Sequence, residues 1–197
     1  MLESQASPSF QTHLAPAEIS AANISIEVLK SNNRLDKILK DGKELKFISY
    51  STSIDSLLDF FGMGYEKIDF ICGQYLIGPF KKIIKEEGIP KIKKLNDYIR
   101  EGRLTVYVPK TLNFHTKLYI IKRGSQTRTA IGSANATRSG RKGRMFETMV
   151  FSEYNYQHQL LKETEEAFQL HKERCEVLFE DLNKILDNKP EEEHERT

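Results

Sequence analysis

A chain of 197 residues, 39% of them hydrophobic, can bury one sizeable core and is too short for two independent catalytic domains. Its 30 basic and 28 acidic residues leave a formal net charge of +2, so overall charge points to no class of partner. No run of 18 apolar residues exists and the first residues lack a charged-then-apolar leader, so neither a spanning helix nor a secretory signal is expected, and the sequence predicts a soluble cytoplasmic protein. Cys72 and Cys175 have no CxxC spacing, so neither a zinc site nor a disulfide framework is expected, only two buried thiols.

Residues 1–22, rich in Ser, Ala, Gln and Pro without periodicity, read as a disordered or loosely docked leader. ISIEVLK is a short strand or a helix start, and RLDKILKDG is an amphipathic helix closed by Gly42. KFISYS reads as a strand, SIDSLLDFFGMG as a helix capped by Ser53, and KIDFICG as a second strand. LIGPFKKIIKEEG and IPKIKKLNDYIREG follow as helices, with Pro90 and Gly102 as punctuation. LTVYVPK, HTKLYIIK, TRTAIGS and RMFETMVFSE are four further strands, with a hairpin around Arg123, Gly124 and Ser125. Strand and helix alternate early and strands cluster late. The expectation is an α/β domain over residues 23–155, a mixed β-sheet flanked by helices.

Beyond it, residues 156–187 read as one long C-terminal helix, because Leu161, Phe168, Cys175 and Leu182 recur every seventh position with Leu178 and Ile185 beside them. Residues 188–197 form a charged tail.

One stretch carries chemistry. In HTKLYIIK, strand alternation puts His115, Lys117, Tyr119 and Ile121 on one face, so a polar pair begins an otherwise apolar strand. The next strand ends in Gly132, Ser133, Ala134 and Asn135, whose small side chains admit a phosphate and whose hydroxyl and carboxamide can bond it. Imidazole serves near neutral pH as nucleophile and general acid, and an ammonium offsets charge building on a phosphoryl group. Glu147 is a lone acid in the apolar strand MFETMVF and needs a partner if buried.

Together, His115-x-Lys117, Gly132-Ser133-x-Asn135 and Glu147 resemble the HxK…GSxN signature of the phospholipase D superfamily over roughly residues 45 to 152. Within it the chain looks like the nuclease branch, which includes metal-independent restriction endonucleases. The superfamily pattern has an aspartate seven residues after the histidine, where this chain has Lys122, on the strand face away from His115.

The resemblance implies a phospholipase D-like fold and a metal-independent phosphodiesterase, without cofactor, that hydrolyses DNA through a covalent phosphohistidine, with RNA as the second choice of nucleic acid. It implies His115, Lys117, Asn135 and Ser133 in the catalytic group, with Glu147 fixing a histidine ring. The mechanism needs two motif copies and the chain has one, so a homodimer with a composite site is expected. A restriction or other defence role follows, with a separate or fused DNA-recognition or helicase module. Arg138, Arg141, Lys142 and Arg144, in the basic loop after Asn135, are expected on the nucleic-acid backbone. The alternatives are an inactive dimeric nucleic-acid-binding module, kept open by Lys122, and a phospholipid phosphodiesterase. His13, His158 and His171 lack motif context and receive no role.

Overall fold

A computed structural model describes residues 23–29, 34–73, 89–111, 113–141, 147–155 and 159–177. The leader, the helix expected at LIGPFKKIIKEEG, Lys142, Arg144 and the charged tail lie outside the described residues.

Eight strands form one mixed sheet: β1 (Asn23–Leu29), β2 (Glu44–Ser49), β3 (Lys67–Cys72), β4 (Leu104–Pro109), β5 (Leu118–Arg123), β6 (Gln126–Gly132), β7 (Glu147–Asn155) and β8 (Cys175–Val177). Their spatial order is β1-β7-β6-β5-β2-β3-β4-β8. The β2–β3 and β3–β4 pairs are parallel and every other pair is antiparallel. Helices α1 (Arg34–Leu39), α2 (Ile54–Gly62), α3 (Ile89–Arg100), α4 (Arg138–Arg141) and α5 (Gln159–Glu173) complete the described elements.

The central strands are apolar on both faces because helices cover both. On one face, Phe47, Phe70, Tyr119 and Ile121 meet Leu35 and Leu39 of α1, Leu57 and Phe60 of α2, and Ile92 and Leu95 of α3. Phe47 stacks on Phe70 at 4.4 Å and on Tyr119 at 5.8 Å between ring centroids, along one row of the sheet. On the other face, Ile48, Ile71, Leu118 and Ile120 meet Leu161 and Phe168 of α5. In α2, Ile54, Leu57, Phe60 and Phe61 form the buried stripe, and Ser53 caps it by accepting from Ser56 N at 3.2 Å.

The long terminal helix is corrected. It ends at Glu173, and Cys175, expected on its apolar stripe, begins β8 against Pro109 of β4. An unpaired edge beside β4 offers a ladder that a further helical turn would leave bare, and pairing wins over the seven-residue pattern. The rest of the expected helix, from residue 178, lies outside the described residues.

Candidate active site

β5 runs antiparallel to β2, with Ile48 opposite Leu118, so the residues that lead into β5 lie beside those that leave β2. Phe114 N donates to Gly73 O at 2.7 Å and Gly73 N to Ser49 O at 2.8 Å, which lays the lead-in across the carboxyl ends of β2 and β3. His115 and Lys117 therefore precede the strand in which the sequence placed them. The β2–β5 ladder ends at Ile48 and Leu118, and Ser51 and Thr52 beyond it reach Asn135 and Ala136. The alternation from His115 to Lys117 persists: Thr116 Oγ1 lies 3.2 Å from His171 Nε2 on the α5 side, while Lys117 faces the opposite way, toward His115.

The Lys117 Nζ lies 2.9 Å from His115 Nδ1 and 3.2 Å from Nε2, and donates to the His115 carbonyl at 2.9 Å. His115 is exposed, whereas Lys117 is only 4% exposed. Burial pulls the Lys117 pKa below the ordinary 10.5, and the negative charge of Glu147 opposes that shift. Tyr50 completes the wall, its ring 5.0 Å from the His115 ring and 5.8 Å from Lys117 Nζ.

The second half of the site leaves β6. A Cβ on Gly132 would collide with Thr148 O, so only glycine lets the two strands close here. Ser133 N donates to Thr148 O and Thr148 N to Ser133 Oγ, each at 3.1 Å. Ser133 Oγ in turn donates a short hydrogen bond to Glu147 Oε2. The Glu147 carboxylate, 6% exposed, is bonded to Ser133 within this chain. Register explains it, because Gly132 opposite Met149 leaves Ser133 beside the start of β7.

Asn135 is half-buried, and its Oδ1 accepts from Ser51 N and Ser49 Oγ at 3.4 Å each. Ser49 Oγ accepts from Ala136 N at 2.8 Å, and Thr52 Oγ1 donates to Ala136 O at 2.9 Å. Tyr119 OH donates to Ala134 O at 2.8 Å, and burial pushes that phenol well above its usual pKa. The turn thus rests on the loop after β2 and on the core. His115, Lys117, Ser133, Asn135 and Glu147 all gather at this one end of the sheet.

The expectation for Arg141 alone is corrected. Arg141 is 1% exposed: Nη1 bonds Asp36 Oδ1 at 2.6 Å, Nη2 bonds Asp59 Oδ2 at 2.7 Å, and the guanidinium lies 5.0 Å from the Phe60 ring. With both carboxylates engaged inside the fold, it does not contact nucleic acid. Arg138 opens α4. Sequence reasoning missed Ser49, Tyr50, Ser51 and His171. The polar run SYSTS at the end of a parallel strand was the available signal, since ligands gather outside the carboxyl ends of such strands. No group of three or more His, Cys, Asp or Glu side chains able to hold a metal ion occurs among the described residues, and no helix among them is long and apolar enough to cross a membrane.

This arrangement agrees with a family model: residues 24–178 match the NgoFVII restriction endonuclease N-terminal PLD domain. The chain belongs to that family. Membership bears out the phospholipase D superfamily and nuclease branch expected from HxK and GSxN. Among solved structures, NucT from Helicobacter pylori matches at 18% identity and TM-score 0.51, covering 79% of this chain and 99% of that one. Phosphatidylserine synthase of Haemophilus influenzae matches at 17% and 0.55, covering 83% and 42%. Yeast tyrosyl-DNA phosphodiesterase matches at 15% and 0.51, covering 78% and 42%. At such identities the likeness is of fold, and it agrees with the α/β phospholipase D-like architecture. No curated protein matches the chain in sequence.

Proposed function

We propose that this NgoFVII-family domain is a metal-independent endonuclease that hydrolyses DNA phosphodiesters through a covalent phosphohistidine on His115. The observation that carries the reading is the buried Lys117 ammonium held against the exposed His115 ring at 2.9 Å. An ammonium has only donors and lies within 3.2 Å of both ring nitrogens, so it favours the neutral imidazole, whose one unprotonated nitrogen is the nucleophile. When a substrate phosphate oxygen takes that hydrogen bond, the lone pair is released next to phosphorus and the cation next to the growing negative charge.

His115 attacks phosphorus, a P–N bond forms, and the P–O bond to the leaving strand breaks. A second imidazole protonates that oxygen, then takes a proton from water as the water attacks phosphorus and the P–N bond breaks. One chain supplies one HxK, so the second imidazole is His115 of another copy, across a two-fold axis. With its Oδ1 engaged, Asn135 turns the two donors of Nδ2 to the phosphate. Ser133 and Glu147 hold the turn, and Glu147 sustains the charge of Lys117. The family name suggests a restriction or defence role, with base recognition supplied by a separate or fused module.

The test is plasmid cleavage in EDTA by the purified protein. Cleavage that survives chelation and vanishes in His115→Ala supports the proposal, as does a dimer in sedimentation at micromolar concentration. DNA binding without cleavage under any condition would overturn it in favour of an inactive binding module, and a monomer would remove the composite site.

A further inference from the structure

We propose that Arg141 is a positioning residue for Asn135, and that the ion cluster of Asp36, Arg141 and Asp59 sets where the carboxamide stands over the phosphate. This rests on the reading of the site as a phosphodiesterase centre.

The link is short and continuous. α4 starts three residues after Asn135, and Thr137 secures its first turn: Gly140 N donates to Thr137 Oγ1 at 3.1 Å and Arg141 N to Thr137 O at 2.9 Å. Gly140 lies directly on the Asn135 backbone, where an added Cβ would strike Asn135 O and stand 3.1 Å from Asn135 N. Asn135 is therefore held from two sides: α4 packs on its backbone at Gly140, and the loop after β2 bonds its carboxamide through Ser49 and Ser51 and the next residue, Ala136, through Ser49 and Thr52.

What holds α4 down is Arg141. A four-residue helix has too few internal bonds to persist alone. Its only fully buried side chain among the described ones reaches across to α1 at Asp36 and α2 at Asp59. Two carboxylates on one planar guanidinium fix its orientation as well as its distance, which a single point charge would not. Displacing α4 would release the Gly140 side of the grip and let Asn135 shift relative to His115, and an error near 1 Å in such a group costs about 100-fold in rate.

The experiment uses the full chain carrying Arg141→Lys, which keeps the charge and loses the fork. Asp36→Asn/Asp59→Asn/Arg141→Met, which leaves no buried charge unpaired, serves if the lysine variant folds poorly. Amide hydrogen exchange is read at Ala136 and, as a reference, at Ile120 in β5. Faster exchange at Ala136 with Ile120 unchanged supports the proposal; no change at Ala136, or equal change at both, overturns it.

In cleavage, kcat falls about 100-fold with KM changed by less than about threefold, and in an Asn135→Ala background the Arg141 substitution removes nothing further. Losses that multiply in the double variant would show that Arg141 does not act through Asn135. If the wild-type protein cleaves nothing, the phosphodiesterase reading falls, and the exchange measurement still decides whether Arg141 holds the turn.

Discussion

Lys117, on the lead-in to β5, and Arg141, at the end of α4, are the two basic side chains that the fold buries among the described residues. Both lie close to the candidate site, yet their surroundings differ. Arg141 has two carboxylates within 2.7 Å and a ring beneath it, so its charge is spent inside the protein. Among the described residues the Lys117 Nζ bonds only to the imidazole and carbonyl of His115, and Glu147 acts on it from a distance. A buried charge without a direct counter-ion is costly and remains available for an anion, whereas one held between two carboxylates is a fastener. The contrast separates a cation kept for substrate from a cation kept for structure.

The largest way to break the contrast is Arg141→Met, which strands Asp36 and Asp59. It should lower stability by about 3–5 kcal/mol, read by urea denaturation; a loss below about 1 kcal/mol would mean that the cluster is not a fastener. Lys117→Met should do the opposite. It removes the penalty of a buried ammonium, so the melting temperature holds or rises, while kcat falls by about 10²–10³. A variant that melts much earlier would place Lys117 with Arg141 among the structural cations.

Glu147→Gln sharpens the electrostatics. Burial already lowers the Lys117 pKa below 10.5 and Glu147 raises it, so removing the carboxylate charge lowers it further. The basic limb of the pH–rate profile, where Lys117 loses its proton, should move to lower pH; a limb that stays or moves up would detach Glu147 from Lys117. The sign for stability agrees. A lysine with a lowered folded pKa penalises the charged fold, so that penalty fades as pH rises from the folded value toward 10.5. The smallest effect belongs to Lys122→Asp, which restores the superfamily's acid. Lys122 Nζ lies 3.4 Å from Glu165 on the α5 face, so the change should cost about 0.2–1 kcal/mol and leave kcat unaltered. A tenfold change in kcat would show that this position communicates with the site.

HxK and GSxN were legible because strand alternation is local, and the same logic located most strands and the Ser53 cap. Tyr50 was not legible beside His115, since 65 residues separate them and only the antiparallel pairing of β2 and β5 joins them. The run ATRSGRKGR reads as a basic loop for a nucleic-acid backbone until Asp36 and Asp59, far upstream, are known to face Arg141. The terminal helix misled for a related reason: a seven-residue pattern is local, whereas the open edge of β4 that captured Cys175 is a property of the sheet.

The β5–β6 hairpin turns on Gly124 and Ser125, with Arg123 paired to Gln126, at the end of the strands opposite His115. Both native thiols, Cys72 and Cys175, are buried. A cysteine introduced at exposed Ser125 would therefore take a single fluorophore, about 20 Å of strand away from the chemistry. In two copies joined at their sites the dyes would stand at opposite ends of the assembly, giving an optical ruler for pairing that leaves the reacting groups untouched.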